Sequence, residues 1–185
     1  MKLELREISE ENAADFFTLH SRLEFGGCFC RYWQFEGDNT VWGKTTPEEN
    51  RIAKETDIQS GQARGAIFYL DGKPFGWCQF AHRSFFKKMN THPTFALSTG
   101  DNIWSIGCFA VAKEERKKGL SKNILEEVLK QIKKQGGKTV EAYPRKEDNL
   151  PDEEVWMGPK RIFEDAGFFV YYETPRTVVM RKDLK

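Results

Sequence analysis

The sequence predicts an α/β fold, and three stretches carry that prediction. Residues 103–143 read as strand, basic glycine turn, amphipathic helix and strand. Residues 65–81 read as a β-hairpin, because Asp71-Gly72 supplies the positive φ angles of a tight turn between two apolar runs. Two earlier segments carry helix start signals just ahead of apolar residues. The chain has 185 residues, 39% hydrophobic and 31% charged, which is the size and composition of one globular domain covering 1–185.

The elements follow in order. Leu3, Leu5 and Ile8 mark a short strand. Ser9 caps a helix over Glu10–Arg22, whose apolar residues are Ala13, Phe16, Phe17, Leu19 and Leu23. Residues 24–46 are aromatic and glycine-rich without a period. Thr46 caps a second helix with Pro47 at its first position, running to Gln59 and stopping at Gly61. The hairpin strands are Gly65–Leu70 and Pro74–Ala81, followed by an irregular polar stretch, 83–101. Ile103–Val111 is apolar on both faces and reads as a buried strand. Leu120–Gln135 is a helix with Leu120, Ile124, Leu125, Val128, Leu129 and Ile132 on one side, ended by Gly136-Gly137. Thr139–Tyr143 is a strand cut off by Pro144. After a charged loop, Gly158-Pro159 opens a short helix that Gly167 ends, and Phe168–Glu173 and Thr177–Lys182 are the last strands.

Charge and composition exclude several classes. Twenty-nine Lys and Arg against 28 Asp and Glu leave a net charge of +1, which gives no support to a nucleic-acid or membrane-surface role. No run of apolar residues is long enough to cross a bilayer, and the alternating, charged start MKLELREISEEN reads as a strand, not a signal peptide. Cys28, Cys30, Cys78 and Cys108 are then reduced thiols, and the cytoplasm is the expected compartment.

The chemistry is concentrated in Arg116-Lys117-Lys118-Gly119-Leu120-Ser121. A glycine turn between a buried strand and a helix N-terminus presents backbone N–H groups, and the helix dipole favours negative charge there. This is a place to hold phosphate; the plain alternative is a solvated basic turn. The Walker string G-x-x-x-x-G-K-[ST] and the dinucleotide fingerprint G-x-G-x-x-G are both absent.

With those residues in view, the region resembles the acetyl-CoA site of the GNAT N-acetyltransferase superfamily, whose loop reads [QR]-x-x-G-x-[GA]. Residues 158–168, ending in Gly167-Phe168, resemble that superfamily's last helix. Cys28-Phe29-Cys30-Arg31-Tyr32-Trp33, Gly76-Trp77-Cys78, Ile103-Trp104-Ser105, Cys108-Phe109 and Glu141-Ala142-Tyr143-Pro144 resemble a functionally unassigned bacterial subfamily with CxCxxW and EAYP motifs. The resemblance covers almost the whole chain. It implies a mixed, mostly antiparallel twisted sheet of six to seven strands, one parallel pair around the cofactor, and helices on both faces. It implies acetyl transfer from acetyl-CoA to a primary amine, on a small molecule or a peptide, by direct attack in a ternary complex. A non-catalytic CoA or acyl-CoA sensor is the alternative. A homodimer through the C-terminal strands fits the same reading.

What the resemblance implies for single residues can also be stated. The backbone of Phe109, Ala110 and Val111 would meet the pantetheine arm, with one N–H polarising the thioester carbonyl and Gly107 as a bulge. Lys117, Lys118, Gly119, Leu120, Ser121 and Lys122 would surround the pyrophosphate, and Arg116 would anchor the loop or reach a phosphate. The family's usual Tyr is Phe163 here and a common Asn is Trp156, so the usual acid is absent.

Glu141 and Tyr143 share one polar face of a strand that should be central. They are candidate catalytic residues, Glu141 accepting the amine proton and Tyr143 protonating the leaving thiolate; the alternative is a structural ion pair. Metal binding is not expected, since C-x-C lacks the usual ligand spacing, and the sequence sets no His beside a Cys for a covalent mechanism. The aromatic stretch holding Phe25, Phe29, Tyr32, Trp33, Phe35 and Trp42 is either packing or a wall of the acceptor pocket that suits an amine by cation–π contact. His20, His82 and His92 read as structural or exposed.

Overall fold

The computed structural model describes residues 2–22, 26–147, 150–151 and 154–184. Leu23 and Phe25 lie outside the described residues. Seven strands form one sheet in the order β1-β2-β3-β4-β5-β7-β6. They are β1 (Leu3–Glu7), β2 (Ala66–Leu70), β3 (Lys73–His82), β4 (Ile103–Val111), β5 (Thr139–Ala142), β6 (Phe169–Glu173) and β7 (Val178–Asp183). Every neighbouring pair is antiparallel except β4 and β5, which run parallel.

The helices are α1 (Ala13–His20), α2 (Asn39–Trp42), α3 (Pro47–Gln59), α4 (Lys87–Thr91), α5 (Leu120–Lys134) and α6 (Lys160–Asp165). The predicted first helix opens as a 3₁₀ turn at Glu10–Asn12 before α1. Thr46 caps α3 as read: the Glu49 amide donates to Thr46 Oγ1 at 3.2 Å, and the Thr46 amide donates to Glu49 Oε2 at 2.7 Å. Asp71 and Gly72 both have positive φ, the type I′ turn that joins β2 to β3. The sequence did not announce α2 and α4, because helices of four and five residues are too short to display a period.

The two-residue alternation of the strands divides the core between the sheet faces. Ala66 and Phe68 of β2 pack with Cys78 and Phe80 against α5 and α6. Ile67, Tyr69 and Trp77 point the other way, onto Phe16 and Leu19 of α1 and Ile58 of α3. On α5, the buried stripe Leu120, Ile124, Leu125, Val128 and Ile132 clamps the helix to the sheet, each side chain contributing about 1.5–3 kcal/mol. This fixes the N-terminus of α5 beside the end of β4. Among the described residues, no helix is long and apolar enough to cross a membrane.

Candidate active site

The site begins where two parallel strands part. β4 pairs with β5 from Ile103↔Thr139 to Ile106↔Ala142. β5 then ends, with Pro144 two residues on, while β4 continues to Val111. The Ala112 amide donates to Phe75 O on the β3 side at 2.8 Å. Strand alternation therefore turns the backbone of Phe109 and Val111 to the opened edge. The Phe109 amide donates to the Trp156 carbonyl at 2.7 Å, and Arg116 Nε donates to the Val111 carbonyl at 2.8 Å. Arg116 is thus an anchor that ties the loop to the end of β4.

Gly107 is the bulge. Gln79 pairs with Cys108 and Phe80 with Ile106, so Gly107 is the extra residue on β4. Its carbonyl accepts from Trp33 Nε1 at 2.8 Å, and a Cβ here would lie 2.8 Å from Phe86 and 3.0 Å from Trp33. Only glycine lets these two rings approach the strand.

The loop from β4 to α5 carries Lys117 at φ 61° and Gly119 at φ 77°. Gly119 is the N-cap of α5, and its carbonyl accepts the Lys122 amide at 3.2 Å. The amides of Gly119, Leu120 and Ser121 precede the first helical hydrogen bond and lack intrahelical partners. The first turn of α5 holds no acidic residue, so nothing there offsets the positive end of the dipole. The Leu120 side chain is in the core, and only its backbone serves the loop. Ser121 is half-buried, while Lys117, Lys118 and Lys122 are exposed. Lys118 Nζ pairs with Glu115 at 3.0 Å.

A cavity of about 450 Å³ connects this loop to the aromatic segment. Phe109, Ala110, Val111, Arg116 and Ser121 line it toward the loop, and Tyr32, Trp33, Trp42 and Trp156 supply aromatic walls. Tyr32 meets Trp33, Trp42 and Trp156 edge-on at centroid distances of 4.7, 5.4 and 5.8 Å. His20, Cys28, Cys30, Cys108 and Gln79 complete the lining.

The fold thus places a His beside the cysteines, which corrects the sequence expectation. His20 Nε2 lies 3.5 Å from Cys30 Sγ, and Cys30 Sγ lies 2.9 Å from Cys108 Sγ. Nδ1 of His20 faces the Phe16 carbonyl at 3.1 Å and must donate to it, leaving Nε2 as the lone-pair nitrogen. Burial pushes the His20 ring down to about 3. Burial also holds the Cys30 thiol well above its ordinary range, and Cys28 is raised first by its contact with Cys30 and then by burial. These groups are protonated thiols beside a neutral imidazole. Among the described residues, no three His, Cys, Asp or Glu side chains are arranged to hold a metal ion. Helix α1 and residue 108 come together only through the sheet, so spacing alone could not reveal the contact. Gln79 did leave a trace in the sequence, as the lone polar residue in the run Phe75–Ala81.

Glu141 and Tyr143 need a second correction, because neither lines the cleft. Both are fully buried. Glu141 Oε2 accepts from Arg83 Nη1 at 2.7 Å and from Tyr143 Oη at 2.8 Å. Oε1 accepts from Arg181 Nε at 2.7 Å and from the Ser98 hydroxyl. Tyr143 Oη also sits 2.6 Å from Ser105 Oγ and accepts from Arg83 Nη1 at 2.9 Å. Burial, then the Glu141 charge, hold the Tyr143 hydroxyl well above its ordinary range. A carboxylate closed by four donors and shut from solvent has no lone pair for an incoming amine. The polar face of β5 is the hub of an internal ion-pair network. Phe163 is likewise fully buried, against Phe168.

The comparisons with known proteins meet this geometry at its main features. A family model described as the acetyltransferase (GNAT) family matches residues 27–158, which includes the aromatic segment, β4, the loop and α5. Solved structures share the fold at low identity. An aminoglycoside acetyltransferase AAC(6')-Ib in complex with coenzyme A is 17% identical, over 98% of this chain and 95% of that one, with a TM-score of 0.64. PaiA N-acetyltransferase from Thermoplasma acidophilum, also in complex with coenzyme A, is 14% identical over 100% of both chains with a TM-score of 0.58. An N-acetyltransferase from Staphylococcus aureus Mu50 gives the same identity, coverage and TM-score. None of the curated proteins matches the sequence. A family match over most of the chain, centred on parted parallel strands and an anion-ready helix start, places the protein in the GNAT family of acetyl-CoA-dependent acetyltransferases.

Proposed function

We propose that the protein moves the acetyl group of acetyl-CoA to the amine of a small molecule or peptide, by direct attack within a ternary complex. The observation that supports this best is the continuity of one cleft, from the unpartnered amides at the α5 N-terminus, along the opened edge of β4, to an aromatic cavity. Acetyl-CoA, when bound, supplies a thioester carbon open to nucleophiles. The residues fit such a cofactor, because the Gly119 position faces open space and the loop amides have no helical partner.

In this reading the amides of Gly119, Leu120 and Ser121 bind the pyrophosphate, Lys117, Lys118 and Lys122 add positive charge around it, and Arg116 keeps the loop against β4. Phe109, Ala110 and Val111 form the wall along the arm. The Phe109 amide is engaged by Trp156, so the oxyanion donor on this edge is assigned to the Val111 amide. The Cys28 and Cys30 thiols are held protonated, which disfavours an acyl-cysteine intermediate on either and supports direct attack by the amine. We further propose that residues 1–185 act as one domain, in the cytoplasm, as a homodimer through the C-terminal strands.

Calorimetry with CoA, followed by thiol release from acetyl-CoA in the presence of amines and mass analysis of the products, tests the reading. CoA binding with an amine gaining one acetyl group is expected. Tight CoA binding without acetylation of any amine would instead mark a sensor, and absence of CoA binding would remove the cofactor assignment.

A further inference from the structure

The cleft carries information about its acceptor, resting on the acetyl-transfer reading above. Among the described residues that line it, there is no Asp and no Glu. The cations near it include Arg116, tied from the loop to the Val111 carbonyl, and Lys88, whose Nζ lies over the Tyr32 ring at 4.7 Å, donates to the Gly37 carbonyl at 2.8 Å and feels the Asp38 charge. An acceptor with several ammonium groups would meet apolar walls and like charge, with no carboxylate among the described lining residues to repay its desolvation.

One polar anchor remains. Gln79 is fully buried in the middle of β3 and lines the cleft. Its Nε2 donates to the Cys30 carbonyl at 2.8 Å and to Gln34 Oε1 at 3.2 Å. The Cys30 carbonyl, which can only accept, fixes which end of the amide is nitrogen. Its Oε1 is buried and has no hydrogen-bond partner among the described residues. A buried acceptor left unmatched is costly, and a ligand N–H bound to it would recover that cost.

Among the described residues that line the cleft, none is placed as a base for the amine proton. Glu141 is enclosed by its four donors, and the neutral His20 ring is too weakly basic to take an ammonium proton. The attacking nitrogen must arrive already neutral. At pH 7.5 roughly a third of an α-amino group is neutral, against ~0.1% of a lysine-type amine.

We propose that the acceptor is a single, weakly basic amine on an aromatic or apolar body, of the α-amino type, with its N–H received by Gln79 Oε1 and its body held by Tyr32, Trp33, Trp42 and Trp156. Polycations are excluded by the same features. A free amino-acid derivative and a peptide N-terminus share this chemistry.

The test compares kcat/KM at pH 7.5 for phenylalaninamide, a Phe-Ala-Ala peptide, phenethylamine and spermidine, with CoA affinity measured by calorimetry on the same protein. Phenylalaninamide or the peptide should exceed phenethylamine by about tenfold or more, because the ring is shared and an amine beside a carbonyl-bearing carbon is far less basic. Spermidine should fall about a hundredfold below. The better of the first two identifies the source. Gln79→Leu should raise the amine KM about tenfold with CoA affinity unchanged. Because that change also frees the Cys30 carbonyl, Trp42→Ala serves as a second variant and should raise KM for phenylalaninamide and phenethylamine, which share the ring, and not for spermidine. Spermidine as the best substrate, or an amine KM unmoved in both variants, overturns the inference while leaving acetyl transfer intact. Loss of CoA binding by the wild-type protein would overturn both.

Discussion

A Cβ added to Gly119 meets no atom within 4 Å, so this glycine does not exist to avoid a clash. Its φ of 77° costs any L-residue about 1–2 kcal/mol. Gly119→Ala should therefore lose stability by that amount and keep most of its CoA affinity. Gly119→Glu adds a carboxylate to the positive end of α5, where a diphosphate would lie, and should abolish CoA binding by calorimetry. Undiminished affinity in that variant counts against the loop. His20 makes a different kind of demand. Its folded value of about 3 lies below the unfolded 6.5, so between those values the unfolded chain takes a proton that the folded protein refuses. Stability from a neutral His20 is complete above pH 6.5 and falls as pH drops toward 3. Between pH 7 and pH 4 the wild type should lose about 3 kcal/mol more than His20→Gln in urea titrations. Parallel curves for the two proteins would show that the ring is protonated without penalty.

The strand β5 is short, yet it fastens three parts of the protein. Through Glu141 it holds Arg83 in the turn after β3, Arg181 on β7 and Ser98 in the segment before β4. Removing the carboxylate leaves two guanidinium groups facing an empty buried site. Glu141→Ala should therefore destabilise by about 3–5 kcal/mol in chemical denaturation, and CoA should still bind to the folded fraction. A variant of full stability that had lost only turnover would return Glu141 to the chemistry. This strand also marks how far the sequence could be read. A strand over Thr139–Tyr143 was legible from its alternation and from Pro144, one residue longer than the observed Thr139–Ala142, and α5 was legible from more than three turns of period. The unusual polar face of β5 was visible too. A structural ion pair was one of its two readings, but the sequence could not name the partners, because Arg83 and Arg181 lie 58 and 40 residues from Glu141 and no local pattern relates them. The same holds for the cleft. Its phosphate end is contiguous in sequence, from Val111 to Ser121. Its acceptor end is assembled from α1, residues 28–42, β3 and residues 155–159, none of them neighbours along the chain.

One edge of the whole sheet is left open in a way that calls for a partner. β6 ends the strand order and pairs only with β7, so its outer backbone groups have no ladder among the described residues. Phe169, Val170 and Tyr171 on it are 50%, 47% and 36% exposed. Edge strands that remain solitary are usually blunted by charge, proline or a bulge. Here a register shift between Val170 and Tyr172 and the charge of Glu173 at its end are such devices, and its apolar residues remain outside. Tyr171 is also braced, with the Arg181 guanidinium 3.5 Å over its ring and its hydroxyl 3.1 Å from Thr99, which keeps the surface rigid. An open, apolar edge strand of this kind suits the homodimer proposed above, in which a second copy is related by a two-fold axis. The α5 N-terminus lies at β4, and β5 and β7 separate that strand from β6, so pairing here leaves the cleft open. Sedimentation should give twice the monomer mass for the wild type. Phe169→Glu combined with Val170→Lys should give monomers that retain CoA affinity. A wild-type protein that sediments as a monomer at tens of micromolar would rule out this edge as a dimer contact, since apolar pairing of this kind has to persist at such concentrations.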